Sequence, residues 1–94
     1  MMWLFEWDER KEKSNRRNHG VGFKEAESIF YDPHSITVND PDHSFDELRF
    51  IDVGTSDKNR LLIVAYTERG KRIRIISARK ATATERKKYE TENS

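Results

Sequence analysis

Ninety-four residues, 34% of them hydrophobic, provide one small hydrophobic core and leave no room for a second domain. The chain has no cysteine, which excludes disulfide bonds, thiolate metal sites and a thiol nucleophile. Its longest apolar run, residues 61–66, is far shorter than the ~18 residues of a membrane-spanning helix, and residues 1–5 are too short for the apolar part of a signal peptide. We therefore expect one soluble, cytoplasmic domain over residues 1–94.

The net charge of +1 conceals three segments of strong and opposite charge. Residues 10–24 carry a net charge of +5, residues 30–57 a net charge of −6, and residues 69–88 a net charge of +8. Two basic segments on either side of an acidic one suit a phosphate-rich ligand on one surface and a cationic partner on another. The alternative is that the three segments neutralise one another within the folded protein.

The N-terminal part of the chain predicts a strand followed by two helices. Residues 2–7 are rich in bulky aromatic side chains and predict the strand. Asp8 can cap a helix that ends near Asn18, with Gly20 as its stop signal. Because residues 8–19 contain no apolar side chain, this helix either lies in solvent or crosses a polar surface. A second, short amphipathic helix is expected to bury Phe23, Ala26, Ile29 and Phe30 and to end at Asp32-Pro33.

The rest of the chain predicts four strands and a final helix. The strands are expected at residues 35–39, 47–53, 61–66 and 71–78. Residues 61–66 are apolar on both faces, which predicts a central strand covered on each side. Thr82 and Glu85 have the spacing of a capping box, which would begin a basic helix ending near Thr91.

These elements occur in the order β-α-α-β-β-β-β-α. Because the connections between the last strands are short, we expect neighbouring strands to be antiparallel. The predicted class is therefore α+β, a small antiparallel sheet with helices packed on it.

The most informative functional pattern is a basic strand near the C-terminus. Arg72 and Arg74 share one face of this strand, while Ile73 and Ile75 point to the other face. Two guanidinium groups about 7 Å apart can bracket a phosphodiester, since each presents a planar fork of donors. The alternative is an ordinary amphipathic strand with a solvated cationic face.

A second cluster consists of Glu47 and Arg49 on one face of the strand predicted at residues 47–53. A carboxylate beside a cation can act as a general base while the arginine stabilises developing negative charge. If the last three strands pair in sequence order, Arg49 and Arg74 lie roughly 10 Å apart, which suits a phosphate between them. The alternative for Glu47 and Arg49 is a surface salt bridge of little energetic value.

The three histidines differ in how well they are placed for proton transfer. His43 closely precedes the strand of Glu47 and Arg49 and is the best candidate. His19 ends the polar helix, where a cationic ring interacts favourably with the helix C-terminus, and His34 has no evident partner. No pair of histidines has zinc-ligand spacing, so the sequence predicts no metal site and no cofactor.

Several motifs, taken in chain order, resemble the BrnT family of bacterial toxins. They are Phe5-Glu6-Trp7-Asp8 with Lys11 and Asn15, His19-Gly20-Val21, Phe23-Lys24-Glu25-Ala26, Phe30-Tyr31-Asp32-Pro33, His43-Ser44 with Glu47 and Arg49, Thr67-Glu68-Arg69-Gly70, Ile73-Arg74-Ile75-Ile76-Ser77-Ala78-Arg79, Glu85-Arg86 and Tyr89-Glu90. The resemblance implies a RelE-like fold and a ribonuclease toxin of a type II toxin–antitoxin pair, with RNA as its substrate. It also implies a BrnA-like antitoxin with a ribbon-helix-helix part, through which the pair would contact operator DNA.

Within that resemblance, the residue chemistry suggests the roles. Glu47 or His43 is expected to act as the general base at the 2′-hydroxyl, Arg49 and Arg74 to hold the scissile phosphate, and Arg79 to lie at the edge of the site. Further bases are expected to attract the RNA backbone, namely Lys11, Arg72, Lys80, Arg86, Lys87 and Lys88. The resemblance thus predicts a metal-independent endoribonuclease. The alternative is a non-catalytic module that binds RNA or an acidic protein segment through the same basic strand and helix.

Overall fold

The structure, a computed structural model, describes residues 4–39 and 48–94 and has an α+β fold with helices on both faces of a five-stranded sheet. The strands are β1 Leu4–Trp7, β2 Ile36–Asn39, β3 Arg49–Thr55, β4 Leu61–Arg69 and β5 Arg72–Lys80, and the helices are α1 Glu9–His19, α2 Phe23–Ser28 and α3 Ala83–Glu92. The predicted class and element order are confirmed. Two candidate site residues, His43 and Glu47, lie outside the described residues. Among the described residues, no helix is long and apolar enough to cross a membrane.

Strand β4 lies at the centre of the sheet, whose strand order is β1-β5-β4-β3-β2. Its side chains from Leu61 to Val64 are all buried, as the apolar pattern on both faces predicts. Strands β3 and β5 both pair antiparallel with β4, and β2 pairs antiparallel with β3. This part of the sheet follows the sequence order, as expected from its short connections.

Strand β1 departs from the predicted antiparallel pairing, because it pairs parallel with β5. No hairpin joins these two strands; most of the chain lies between Trp7 and Arg72, so no short turn dictates an antiparallel direction. The pairing ends with Trp7 opposite Ile75, which leaves the second half of β5 with an edge that β1 does not cover.

The hydrophobic core lies on the inner face of the sheet, beneath α2. Phe23, Ala26 and Ile29, at the predicted helical spacing, are fully buried. They pack with side chains of β4 and β5, including Leu62, Val64, Tyr66, Ile73 and Ile75. The predicted continuous helix tightens into a 3-10 turn at Ile29–Tyr31, because the backbone of Asp32 is extended ahead of Pro33.

Helix α1 meets the sheet through one buried polar side chain, Asn15, which is only 7% exposed. Asn15 Nδ2 donates to the carbonyl of Ala78 at 2.7 Å, and the N–H of Ala78 donates to Asn15 Oδ1 at 3.1 Å. The amide thus pairs with β5 as a neighbouring strand would. Nδ2 also donates to the carbonyl of Val21 at 2.8 Å, which fixes the chain as it leaves the helix. The sequence left open whether this polar helix lies in solvent or crosses a polar surface. The helix crosses a polar surface, namely the edge of β5 that β1 does not cover.

Replacing Asn15 with alanine is expected to destabilise the protein by about 1–3 kcal/mol, because the buried N–H and carbonyl of Ala78 lose their partners. Asn18→Ala is the matched control, since Asn18 is exposed on the same helix and donates only a 3.4 Å contact to Ser14. Its expected effect is within about 0.5 kcal/mol. Urea unfolding measures both variants, and equal stabilities would contradict the role of Asn15.

Candidate nucleic-acid interface and catalytic site

A row of four side chains crosses the outer face of the sheet, the face opposite the core. Arg49 of β3 is paired with Thr67 of β4, Thr67 with Arg74 of β5, and Arg74 with Glu6 of β1. Paired residues point to the same face, and adjacent strands lie about 4.8 Å apart, so Arg49 and Arg74 are about 10 Å apart along this row. The prediction that these two arginines lie two strands apart on one face is confirmed.

The carboxylate of Glu6 lies between Arg72 and Arg74. Arg74 Nη1 donates to Glu6 Oε2 at 2.8 Å, and Arg72 Nη1 approaches Glu6 Oε1 at 3.4 Å. The hydrogen bond from Arg74 is the main reason that the pKa of Glu6 is lowered. Arg72 and Arg74 thus bracket a carboxylate of the same chain, and that they also bracket a phosphate stays a prediction. The parallel pairing of β1 with β5 places Glu6 opposite Arg74.

Thr67 is fully buried between the two arginines of this row, although threonine is a polar residue. Within the described part of the chain, its Oγ1 is the buried side-chain polar atom that has no hydrogen-bond partner. An unpaired buried hydroxyl costs about 1–3 kcal/mol, and few such groups occur in native proteins. Thr67 therefore lowers the stability of the fold at this position. Such unpaired buried groups are common at ligand-binding sites.

A depression of about 200 Å³ adjoins this row on the outer face. Its lining includes the apolar side chains of Ile51, Ile63 and Ala65 and the polar side chains of His19, Ser77 and Arg79. Ala65 is paired with Ser77, and these two small side chains leave the space above the sheet open. A β-bulge contributes here, because Ala65 pairs with Ser77 while Tyr66 pairs with Ile75, which leaves one residue of β5 unpaired.

Arg79, which lines the depression, is held by helix α3. Its Nη1 and Nη2 donate to the two carboxylate oxygens of Glu85, each at 2.7 Å. Glu85 also accepts from the N–H of Thr82 at 2.9 Å, which completes the predicted capping box of α3. The hydrogen bonds from Arg79 are the main reason that the pKa of Glu85 falls to about 2. The guanidinium is therefore fixed in place before any ligand binds.

Helix α3 presents its basic side chains to solvent. It has no buried residue, and besides the Arg79–Glu85 pair it is anchored by Tyr89, whose hydroxyl donates to Asp32 Oδ2 at 2.7 Å. The candidate RNA-binding residues with exposed positions on α3, β5 and α1 are Arg86, Lys87, Lys88, Lys80, Arg72 and Lys11.

Two features of the site were not predicted by the sequence. Glu6 was not identified as the partner of the arginines, because no local pattern relates positions so distant along the chain. His19 was identified as a residue of the helix end and of the His19-Gly20-Val21 motif, but not as a site residue, yet it lines the depression. A sequence signal for this position exists: Lys11, Asn15 and His19 are spaced four residues apart, which predicts that they lie along one side of α1.

Residues 4–39 and 48–94 contain no group of three histidine, aspartate or glutamate side chains that could hold a metal ion. His34 takes part in a turn, where its N–H donates to Asp32 Oδ1 at 2.9 Å.

Comparison with known proteins gives two findings of similarity. Residues 7–85 match a family model described as the ribonuclease toxin, BrnT, of type II toxin-antitoxin system. Among solved structures, the chain is similar to the crystal structure of the Brucella abortus ribonuclease toxin, BrnT, with a TM-score of 0.66 and 20% sequence identity. This similarity covers 86% of the present chain and 99% of the Brucella chain, and at such identity it shows the shared fold. No curated protein matches the chain.

Proposed function

Because this chain belongs to the BrnT family of ribonuclease toxins of type II toxin–antitoxin systems, we propose that it is an endoribonuclease that cleaves RNA without a metal ion on its outer sheet face. The observation that carries the proposal is the position of Arg49 and Arg74 on one row of that face, two strands apart. A phosphodiester above Thr67 would lie within reach of both guanidinium groups, beside the depression.

The chemistry requires a base at the 2′-hydroxyl and cations at the phosphate. Glu47 or His43, which precede β3 in the sequence, is the general base of this proposal. Arg49 and Arg74 hold the scissile phosphate and stabilise the negative charge that develops on its oxygens. The 2′-oxygen attacks phosphorus and the bond to the 5′-oxygen breaks, which yields a 2′,3′-cyclic phosphate and a 5′-hydroxyl.

Glu6 has a positioning role in this scheme. It engages Nη1 of Arg74, and a guanidinium has five N–H donors, so donors on the same group remain for a phosphate. A carboxylate that fixes the plane of the guanidinium lowers the loss of conformational entropy on RNA binding. It also offsets the repulsion between Arg72 and Arg74 in the unliganded protein.

The proposal extends to a protein partner. The family is that of toxins in type II toxin–antitoxin systems, and a BrnA-like antitoxin with a ribbon-helix-helix part is the proposed partner. Operator DNA would be contacted only through that antitoxin. The antitoxin and the RNA substrate would meet the toxin in the cytoplasm.

The decisive experiment is incubation of the purified protein with a defined RNA, with and without EDTA. We expect cleavage at the same rate in both samples and products that end in 2′,3′-cyclic or 3′-phosphates. Loss of cleavage with EDTA and its return with a divalent ion would refute the metal-independent mechanism. RNA binding without any cleavage would instead indicate a non-catalytic binding module.

Arg74→Ala is expected to lower the cleavage rate by about 10²–10³, the usual loss when one donor to a developing oxyanion is removed. The free energy of unfolding should change by no more than about 1 kcal/mol, since the Arg74 side chain is 32% exposed and lies away from the core. Arg74→Lys should restore little activity, because an ammonium cannot make the two-pronged contact. Single-turnover cleavage and thermal unfolding measure the two quantities.

Two control variants separate chemistry from folding in this experiment. Arg72 shares the partner Glu6 but is 64% exposed, so Arg72→Ala should weaken RNA binding while bound RNA is still cleaved. Ile75 is buried in the core, and Ile75→Ala should cost about 2–5 kcal/mol of stability. If Arg74→Ala cleaves RNA at the normal rate, the assignment is refuted; if it unfolds like Ile75→Ala, Arg74 is structural.

RNA binding is expected to weaken steeply as salt rises, with each phosphate contact adding ~0.7 to the logarithmic slope for a single strand. Replacing Lys87 and Lys88 with alanine should lower the slope and leave the cleavage of bound RNA nearly unchanged. The matched control replaces Lys13 and Arg17, which lie on the side of α1 away from Asn15, and should leave the slope unchanged. A flat salt dependence of the unmodified protein would contradict this electrostatic interface.

A further inference from the structure

We propose that His19 is a catalytic residue, the general acid that protonates the 5′-oxygen as it leaves the phosphate. The inference rests on the proposed ribonuclease function and deepens it. His19 is the last residue of α1, and with Ser77 and Arg79 it lines the 200 Å³ depression. An imidazole at a depression beside a phosphate-binding row is well placed to exchange a proton with the substrate.

The position of the ring follows from the contacts of Asn15. Two hydrogen bonds between the Asn15 amide and Ala78 hold α1 against the edge of β5 that β1 leaves uncovered. His19 lies four residues after Asn15, one turn further along the same side of the helix. The ring therefore extends over the edge of β5 to the outer face, where it lines the depression beside Ser77 and Arg79.

The end of helix α1 does not depend on the imidazole. Helix α1 already ends at Gly20, whose left-handed backbone (φ 69°) lets its N–H donate to the carbonyl of Arg16. No hydrogen bond or ion pair engages the His19 ring in the described part of the chain. Stability alone therefore does not require histidine here.

The acid role follows from the division of the two proton transfers. In-line displacement places the 2′-oxygen and the 5′-oxygen on opposite sides of phosphorus, so one side chain does not serve both. The 2′-hydroxyl loses its proton to the general base of the proposed function, whereas the departing 5′-oxygen needs a proton. His19, which reaches the depression from the β5 side of the central strand, is therefore assigned to the 5′-oxygen.

The step balances in protons and bonds. The 2′-oxygen forms a bond to phosphorus and gives its proton to the general base, while the bond between phosphorus and the 5′-oxygen breaks. The imidazolium of His19 gives one proton to that oxygen and becomes neutral. Arg79 lies beside the ring, and its charge is balanced by Glu85, while Arg49 and Arg74 attract the phosphate.

A substrate with sulfur in place of the bridging 5′-oxygen tests this role, because a thiolate leaves without a proton. His19→Ala should slow single-turnover cleavage of ordinary RNA by about 10²–10⁴, the usual contribution of acid–base catalysis. The His19→Ala variant should cleave the sulfur-containing substrate at close to the wild-type rate. Added imidazole should restore part of the activity of this variant on ordinary RNA. His34→Ala is the matched control, because the backbone of His34, and not its ring, makes the turn contacts; it should behave as wild type on both substrates.

Each result bears on the inference separately from the proposed function. If wild type cleaves RNA and His19→Ala is unimpaired, the inference is overturned while the function stands. Equal slowing on the two substrates, without rescue by imidazole, would likewise overturn it and make His19 a structural residue. If wild-type protein cleaves neither substrate, the proposed function and the inference fail together.

Discussion

The pairing of the Asn15 side chain with the backbone of Ala78 is the constraint on which the outer face depends. Strand β1 covers only the first half of β5, and the amide of Asn15 supplies the hydrogen bonds that a longer β1 would have made. Unpaired backbone groups on a buried strand edge cost free energy, and Asn15 removes that cost at Ala78. This one side chain therefore fixes α1 against the sheet, although the helix has no apolar face. The same contact sets the position of every other residue on that side of α1, His19 included.

The two faces of the sheet carry different sets of side chains. The inner face carries the aromatic and aliphatic core, in which Phe30 packs edge-to-face on Tyr66 with ring centroids 4.9 Å apart. The outer face carries arginines whose mutual repulsion is offset by carboxylates of the same chain. Glu6 serves Arg74, and Glu85 serves Arg79. These pairs hold the cations in place before RNA arrives, and the buried, unpaired hydroxyl of Thr67 is a cost that the inner face compensates.

Two carboxylates of the acidic segment have partners within the fold. In the acidic segment, Asp32 accepts hydrogen bonds from the N–H of Thr55 and the hydroxyl of Tyr89. Asp52 is buried and accepts from the hydroxyls of Thr37 and Tyr66, and burial raises its pKa. These two carboxylates therefore hold strands and helix together and are not directed at a cationic partner. Arg74 and Arg79 on the outer face are paired with Glu6 and Glu85, which lie outside that segment.

The sequence by itself determined the features that depend on neighbours a few residues away. The apolar run at residues 61–66 predicted the central strand, Asp8 and Gly20 marked the two ends of α1, and period-two alternation with short connections placed Arg49 and Arg74 on one face. Only the tertiary structure decided that β1 runs parallel to β5 and brings Glu6 to Arg74, 68 positions away. It also decided that a polar helix buries Asn15 and extends His19 over a strand edge. Caps, turns and periodicity act through local backbone geometry, whereas the choice of partner between distant strands is made by packing of the whole chain, which no local pattern encodes.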